Sequence, residues 1–187
     1  MWLSSPLTAE NLALGTLNTV EHQLPRRRTL RLSDYDYSNA GAYFITVCVA
    51  CRRCLLGDLR DGTVCLSPAG ECVRAAWTGL ESRYTGVLLG EYVIMPNHVH
   101  GILLLGSETD LGGHPSGSKS LGQIVGAFKT RSAHLINDLR LSPGISVWQR
   151  GYYEHVVRNE RSLRGIREYI ANNPSQWALD CENPDRQ

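Results

Sequence analysis

The chain has 187 residues, enough for one domain with a hydrophobic core of its own. Apolar residues make up 42% and charged residues 20%, a composition typical of globular proteins that excludes a disordered, coiled-coil or collagen-like chain. The formal net charge is only +1, so the bulk charge does not by itself indicate a nucleic-acid-binding protein.

Positive charge is nevertheless concentrated locally. Between Leu121 and Ile170 there are eight basic and only four acidic residues, and Arg26, Arg27 and Arg28 form a second basic patch. The segment after Trp177 is acidic and offsets both regions in the total. The charge pattern therefore allows a local phosphate-binding surface on a chain that is neutral as a whole.

The first residues, MWLSSPLTAENLALGTLN, lack the basic start and the apolar stretch of a secretory signal. No apolar run approaches the roughly 18 residues that span a membrane. We therefore expect a cytoplasmic protein with no membrane partner, whose six cysteines are reduced thiols.

Three of these cysteines, Cys48, Cys51 and Cys54, have two residues between neighbours, a spacing also found in metal sites. The segment around the first two reads as a strand, and positions three apart on a strand point to opposite faces. A shared metal site would need a sharp turn between them, so a structural role is favoured.

In chain order, the pattern predicts an irregular arm over 1–38, a single domain over 39–178 and an acidic tail over 179–187. Within the domain, the predicted elements are a strand over 42–51, a hairpin around 57–62, a helix opened by Ser67-Pro68, strands over 87–95 and 99–105, a helix over 121–139, a strand over 147–157 and a helix over 160–172. A polar loop, SETDLGGHPSGSKS, lies between the strand over 99–105 and the helix over 121–139. The fold class is α+β, with a central antiparallel sheet and helices packed on one side of it.

His98 and His100 are the sharpest local feature, within Met95-Pro96-Asn97-His98-Val99-His100. They are two residues apart at the start of a strand, so both imidazoles point to the same face while Val99 points to the other. Two imidazoles on one face form half of a divalent-metal site. Two polar surface residues, or two satisfied core histidines, are the alternative.

The last predicted helix carries Tyr169 and Asn173, which share a face at positions i and i+4. A tyrosine beside basic residues is more often packing at a helix–sheet boundary than a nucleophile. Tyr152 and Tyr153 are rival tyrosines with the same reservation.

Taken together and in this order, MPNHVHGI, WQRGYYEHVVRNE and IREYIANNP resemble the REP-associated tyrosine transposases, a group of the His-hydrophobe-His (HUH) superfamily of single-strand DNA nucleases. The resemblance runs from about Tyr43 to Trp177. It implies a ferredoxin-like or RRM-like HUH fold. It also implies endonuclease and strand-transfer activity on single-stranded or hairpin DNA, with repeated extragenic palindromes as the expected targets.

The resemblance also implies residue roles. His98 and His100 are expected to bind a divalent ion, Mg²⁺ or Mn²⁺, and Tyr169 is expected to be the nucleophile that forms a 5′-phosphotyrosine. Asn173 is expected to complete the metal site, at a position where related transposases often carry Gln.

DNA contacts are expected from side chains of the middle helix and the region after it, and from the basic arm: Lys129, Arg131, Trp148, Arg150, Tyr152, Arg158, Arg26, Arg27 and Arg28. The cationic members suit phosphates, and the aromatic ones suit stacking on unpaired bases. Two rival interpretations stay open at this stage, a non-catalytic hairpin-binding protein and a Cys/His metal module. The sequence leaves a monomer and a homodimer equally open.

Overall fold

The computed structural model describes residues 40–106, 119–180 and 182–184. The predicted arm over 1–38, with Arg26, Arg27 and Arg28, and most of the polar loop lie outside the described residues. None of the helices in the described ranges combines the length and hydropathy of a membrane span.

A four-stranded antiparallel sheet forms the centre of the fold, in the order β4-β5-β1-β6. Its strands are β1 (Gly41–Cys48), β4 (Val87–Ile94), β5 (His98–Leu105) and β6 (Tyr153–Val157). β5 pairs with β4 on one side and with β1 on the other, and β1 in turn pairs with β6. The predicted α+β class with a central antiparallel sheet is confirmed.

A short 3₁₀ turn (Ala50–Arg52) and a two-stranded hairpin, β2 (Gly57–Arg60) with β3 (Thr63–Leu66), follow β1. Helix α1 (Pro68–Arg83) begins where the sequence predicts, because the Ser67 side chain accepts a hydrogen bond from the Gly70 amide and Pro68 occupies the first turn. Helix α2 (Leu121–Leu139) is capped in the same way by Ser120 and Gln123.

The large hydrophobic core lies on one face of the sheet, under α1 and α2. Side chains that alternate along the strands, such as Ile45, Val99 and Leu103, point into it. The Trp77 ring of α1 packs directly on β5 at Gly101, where a Cβ atom would come within 2.4 Å of the ring. Gly101 is therefore the position that lets α1 approach the strand carrying the histidines.

The opposite face carries α3 (Glu160–Asn172), so the expectation of helices on one side only is wrong. Ile170 of α3 forms a second, smaller cluster with Phe44 and Ile102. Strand residues of this face alternate with those of the larger core, which is why both faces can be covered. Because α3 covers the face to which His98 and His100 point, it brings Tyr169 to them.

The predicted strand over 147–157 is shorter than expected. Only Tyr153–Val157 is a strand, and Trp148 makes a single bridge to Val49. Between them lies Gly151, whose φ of 77° belongs to the left-handed region that favours glycine. The turn at Gly151 interrupts the strand. After α3, a 3₁₀ helix (Pro174–Leu179) leads the chain back to the start of β5.

Candidate active site

His98 and His100 lie at the start of β5 and point to the same face, as predicted. Their ring centroids are 4.4 Å apart, and both side chains are buried. The ring of Phe44, on the neighbouring strand β1, stacks against His100 with a centroid separation of 5.4 Å. The sheet thus holds the two imidazoles in fixed positions next to each other.

The amide of Asn97 determines which nitrogen of His98 is free. Its Nδ2 donates to the carbonyl oxygens of Arg52 (3.0 Å) and Glu182 (2.7 Å), so Oδ1 must be the atom that faces His98. That oxygen can only accept, so Nδ1 of His98 donates to it at 2.9 Å. The Nε2 lone pair of His98 is then available, and this atom is buried without a hydrogen-bond partner.

His100 has a polar partner on each side of its ring. Its Nδ1 lies 2.8 Å from Oγ1 of Thr46, and its Nε2 lies 3.1 Å from the hydroxyl of Tyr169. When Nδ1 donates to Thr46, Nε2 accepts the tyrosine proton. Tyr169 is 42% exposed as a residue, whereas its partner His100 is buried.

Asn173 and Asp180 complete the site. Asn173 is buried, its Nδ2 donates to Oδ2 of Asp180 at 3.2 Å, and its Oδ1 has no hydrogen-bond partner. Asp180 is also buried and lies 3.8 Å from Nε2 of His98. The sequence interpretation placed Asp180 in an acidic tail. The return of the chain after Pro174 depends on tertiary packing, and nothing in the sequence distinguishes Asp180 from the other acids of that segment, Glu182 and Asp185.

Burial is the main influence on the protonation of both histidines. It lowers the pKa of His98, an effect that the nearby carboxylates of Asp180 and Glu182 partly oppose. It lowers the pKa of His100 to about 2, with a further contribution from the charge of His98. Both imidazoles are therefore neutral near pH 7, the form in which histidine binds metals.

The residues present fit a divalent ion. His98, His100 and Asp180 each offer one ligand atom, and these atoms all lie within 4.8 Å of one another. Two unpartnered buried acceptors, Nε2 of His98 and Oδ1 of Asn173, are adjacent to this group. Buried acceptors without donors are costly, and a cation relieves that cost. Imidazole, carboxylate and amide oxygen are all known ligands of such ions.

Of the three candidate tyrosines, Tyr169 is the one that contacts a candidate metal ligand, with a ring centroid 5.1 Å from that of His100. Tyr152 packs against the large core. Tyr153 lies on β6 opposite Thr46, is 44% exposed, and meets the edge of Phe44. Tyr153 is thus an exposed aromatic on the same sheet face, which the sequence interpretation had passed over as a DNA contact.

The expected DNA-contacting residues fall into different environments. Arg131, Arg150 and Arg158 are exposed. The ammonium of Lys129 donates to the carbonyl oxygens of Gln149 (2.7 Å) and Gly151 (2.8 Å), and burial lowers its pKa. Lys129 therefore holds the turn that presents Arg150.

Trp148 is a correction to the sequence interpretation. It is 6% exposed, packs against Phe128, and donates its indole N–H to Oγ of Ser132 at 3.0 Å. A ring so enclosed has no free face for a base.

The cysteine-rich segment does not form a metal group within the described residues. A turn does separate Cys48 from Cys54, because Cys51 has a φ of 57°. Nevertheless, His98, His100 and Asp180 make up the one group of three or more ligand-type side chains found in residues 40–106, 119–180 and 182–184. Cys51 and Cys54 are exposed thiols.

Comparison with known proteins gives one relative in sequence and a fold in structure. No protein-family model matches the chain. An uncharacterized protein of Haemophilus influenzae is 36% identical over 168 residues, which are 82% of this chain and 91% of that protein.

Among solved structures, a REP-associated tyrosine transposase bound to a REP hairpin matches 79% of this chain and 73% of its own chain, with a TM-score of 0.56 and 21% identity. A Deinococcus radiodurans protein provisionally described as a transposase matches at a TM-score of 0.41 and 22% identity, over 76% of this chain and 95% of that chain. The first match confirms, at the level of the fold, the resemblance that the sequence motifs indicated.

Proposed function

Since the chain belongs to the same protein family as the uncharacterized Haemophilus influenzae protein and has the fold of a REP-associated tyrosine transposase, we propose that it is a metal-dependent DNA endonuclease and strand transferase. The observation that carries the proposal is the contact between the Tyr169 hydroxyl and Nε2 of His100, which are 3.1 Å apart. His100 is one of the two buried histidines. A nucleophile and its activating site are thus assembled within one chain.

Tyr169 is the proposed nucleophile. A phenol has a pKa near 10 and needs help to lose its proton near neutral pH. Without an ion, Nε2 of His100 accepts a hydrogen bond from this phenol, while Thr46 holds the imidazole from the other side. A divalent ion bound at this nitrogen would favour the phenolate by its positive charge. The attacking oxygen is oriented by packing as well, because the Tyr169 ring meets Phe44 edge-on at 6.0 Å.

His98 and His100 would hold the ion, with Asn173 beside them. When bound, a divalent ion of the Mg²⁺ or Mn²⁺ type supplies Lewis-acid polarisation of a non-bridging phosphate oxygen. The protein contributes fixed, neutral imidazoles, both of which are buried. Asn97 and Thr46 orient the imidazoles by binding their Nδ1 atoms, an arrangement typical of metal-ligating histidines.

The proposed reaction is an in-line transesterification. The Tyr169 oxygen forms a bond to phosphorus as the bond from phosphorus to the 3′ oxygen breaks. The phenol loses its proton, and the departing 3′ oxygen gains one. The products are a 5′-phosphotyrosine and a free 3′ hydroxyl. The phosphotyrosine retains the energy of the broken phosphodiester bond. Attack by another 3′ hydroxyl can therefore rejoin DNA without a nucleotide cofactor.

Single-stranded or hairpin DNA is the proposed substrate. The solved relative in fold binds a REP hairpin, and the exposed Arg131, Arg150 and Arg158 offer positive charge for phosphates. Tyr153, exposed on the sheet face of the histidines, is a better stacking platform than Trp148. The basic patch at Arg26, Arg27 and Arg28 is a further proposed contact.

The test is a covalent-adduct assay. End-labelled hairpins with single-stranded flanks, drawn from repeated palindromes, are incubated with the protein and Mn²⁺ and resolved on a denaturing gel. We expect a protein–DNA adduct that disappears in Tyr169→Phe and persists in the matched variant Tyr153→Phe. An adduct that survives in Tyr169→Phe would reject this nucleophile.

The same assay separates the rival functions. Tight hairpin binding by the wild type with no cleavage and no adduct, across several hairpins and both ions, would indicate a non-catalytic binding protein. Stoichiometric zinc that is lost in a Cys48, Cys51 and Cys54 triple alanine variant, together with no DNA binding, would indicate a metal module instead.

A further inference from the structure

The chain segment after α3 is built into the candidate metal site. From Pro174 it runs as a 3₁₀ helix and then packs beside the histidines. The Trp177 ring lies over His98 with a centroid separation of 6.0 Å, and the side chain of Asn97 donates to the Glu182 carbonyl oxygen at 2.7 Å. Arg52 pairs with the Glu182 carboxylate at 3.1 Å. These contacts place Asp180 at the mouth of the histidine pair.

One neighbour of Asp180, Nε2 of His98, does not donate to it, although Asn173 donates to the same carboxylate oxygen at 3.2 Å. Because Asn97 accepts from Nδ1 of His98, the Nε2 atom of His98 is a bare lone pair, and it lies 3.8 Å from Oδ2 of Asp180. That distance is too long for a hydrogen bond. Two buried acceptors that point at one another repel unless a positive charge lies between them.

A shared ion accounts for this arrangement. Ligand atoms about 2.0–2.2 Å from one ion are at most about 4.4 Å from each other, and the His98–Asp180 separation falls within that limit. The other oxygen of Asp180 accepts from the Glu182 amide at 2.7 Å, and Asn173 donates to Oδ2, so the carboxylate is held in orientation. A held carboxylate beside a bare imidazole nitrogen is a typical pair of metal ligands.

We propose that Asp180 is the third protein ligand of the ion, and that the segment 174–180 is therefore a working part of the metal centre. The proposal rests on the proposed function, because it assigns a ligand to the same ion. Asn97 acts as a positioning residue, since its side-chain amide orients His98 and also binds the backbone of Glu182 beside Asp180.

Metal affinity of the full chain tests the proposal without any need for catalysis. Apo protein is titrated with Mn²⁺, and free Mn²⁺ is measured by its electron paramagnetic resonance signal. Asp180→Asn keeps the shape and an oxygen that can accept from the Glu182 amide, but it removes the charge and the oxygen that accepts from Asn173. Ligand loss should weaken Mn²⁺ binding at least tenfold, since even an outer partner of a ligand is worth roughly 10–100-fold.

Asp138→Asn is the matched control, because it removes the same charge from an exposed position of α2, which lies on the opposite face of the sheet from the histidines. It should bind Mn²⁺ within about threefold of wild type. The thermal midpoint of the apo Asp180→Asn protein should stay close to that of wild type, because relief of the facing acceptors offsets the loss of the bond from Asn173. A residue with a purely structural role would instead lower that midpoint.

The outcomes are distinct. Wild-type binding with unchanged Mn²⁺ affinity in Asp180→Asn, but loss in His100→Ala, would overturn the role of Asp180 and leave the proposed function standing. Faster hairpin cleavage by Asp180→Asn, at unchanged Mn²⁺ affinity, would mark Asp180 as a plug rather than a ligand. Absence of Mn²⁺ binding by the wild type at millimolar concentration would overturn the proposed function as well.

Discussion

The hydroxyl of Tyr169 lies 3.1 Å from Nε2 of His100, the ring nitrogen that is left for an ion when Nδ1 donates to Thr46. One lone pair cannot serve a tyrosine proton and a metal ion at once. Tyr169 and the ion are therefore competitors for His100 before DNA binds. With an ion bound to His100, the Tyr169 hydroxyl would lose this hydrogen bond and lie next to the ion site.

This competition predicts the metal affinity of Tyr169→Phe. The variant should bind Mn²⁺ as tightly as wild type or up to about tenfold more tightly, since the lost hydrogen bond is worth about 0.5–1.5 kcal/mol. The measurement is the same Mn²⁺ titration, with Tyr153→Phe as the control that leaves His100 untouched. Weaker Mn²⁺ binding in Tyr169→Phe would show that the tyrosine supports the ion instead of competing with it.

A pair of glycine substitutions tests the packing behind the histidine strand. Gly101→Ala would place a Cβ atom 2.4 Å from the Trp77 ring, and we expect it to lower the free energy of unfolding by about 1–3 kcal/mol. Gly126→Ala, on an exposed position of α2 where nothing lies within 4 Å, should raise it by about 0.5–1 kcal/mol. Urea unfolding in EDTA measures both. Equal changes in the free energy of unfolding would mean that Gly101 is not needed for the close approach of Trp77.

The buried histidines predict how the stability of the apo protein depends on pH. The pKa of His100 falls to about 2 in the folded state, against 6.5 in the unfolded chain, so below pH 6.5 the unfolded state binds the proton that the folded state excludes. Stability is thus fully present above pH 6.5 and declines as the pH falls toward 2.

The slope that one such histidine contributes is about 1.4 kcal/mol per pH unit once the pH is well below 6.5. Urea unfolding of the EDTA-treated protein from pH 5 to 8 should show a decline below pH 6.5 that is shallower in His100→Gln. A variant with the same pH slope as wild type would contradict the assignment of His100 as a buried neutral imidazole.

Two aromatic residues should differ in what they contribute: Trp148 to the stability of the fold and Tyr153 to DNA binding. Trp148→Phe should destabilise the fold, since it loses the bond to Ser132 and core volume, but leave DNA affinity per folded molecule unchanged. Tyr153→Ala should weaken binding of single-stranded DNA by about 1–3 kcal/mol, the worth of one stacked base. Fluorescence anisotropy with a labelled flank, after unfolding curves have confirmed folded protein, gives both values. Weaker binding by folded Trp148→Phe would restore the tryptophan as a DNA contact.

Arg150 is predicted to contact a phosphate from the turn that Lys129 holds. Arg150→Gln should reduce the slope of log affinity against log salt concentration by about 0.7–0.9, the share of one phosphate contact. Arg74→Gln, an exposed arginine on α1 beneath the opposite face of the sheet, should leave the slope unchanged. Anisotropy titrations at four salt concentrations distinguish the two. An equal loss in both variants would indicate a diffuse electrostatic effect.

Local sequence rules predicted most of the secondary structure. Ser67-Pro68 and the stretch after Ser120 specify where α1 and α2 begin, because the caps act on amides within the same turn. The alternation His98-Val99-His100 likewise predicted a shared face, since side-chain direction on a strand depends only on parity. The shared face of the two histidines and the helix that carries Tyr169 could therefore be predicted from the sequence.

What the sequence by itself determined was the α+β class and the residue types of the site; what only the tertiary structure decided was which of them meet. The contact between Tyr169 and His100 spans 69 positions, and it forms because α3 packs on the face opposite the larger core. Asp180 reaches His98 because Asn97 anchors the returning chain, and Trp148 turns inward because Ser132 accepts its N–H. Periodicity encodes direction along one element, whereas the meeting of distant side chains depends on which buried faces pack together.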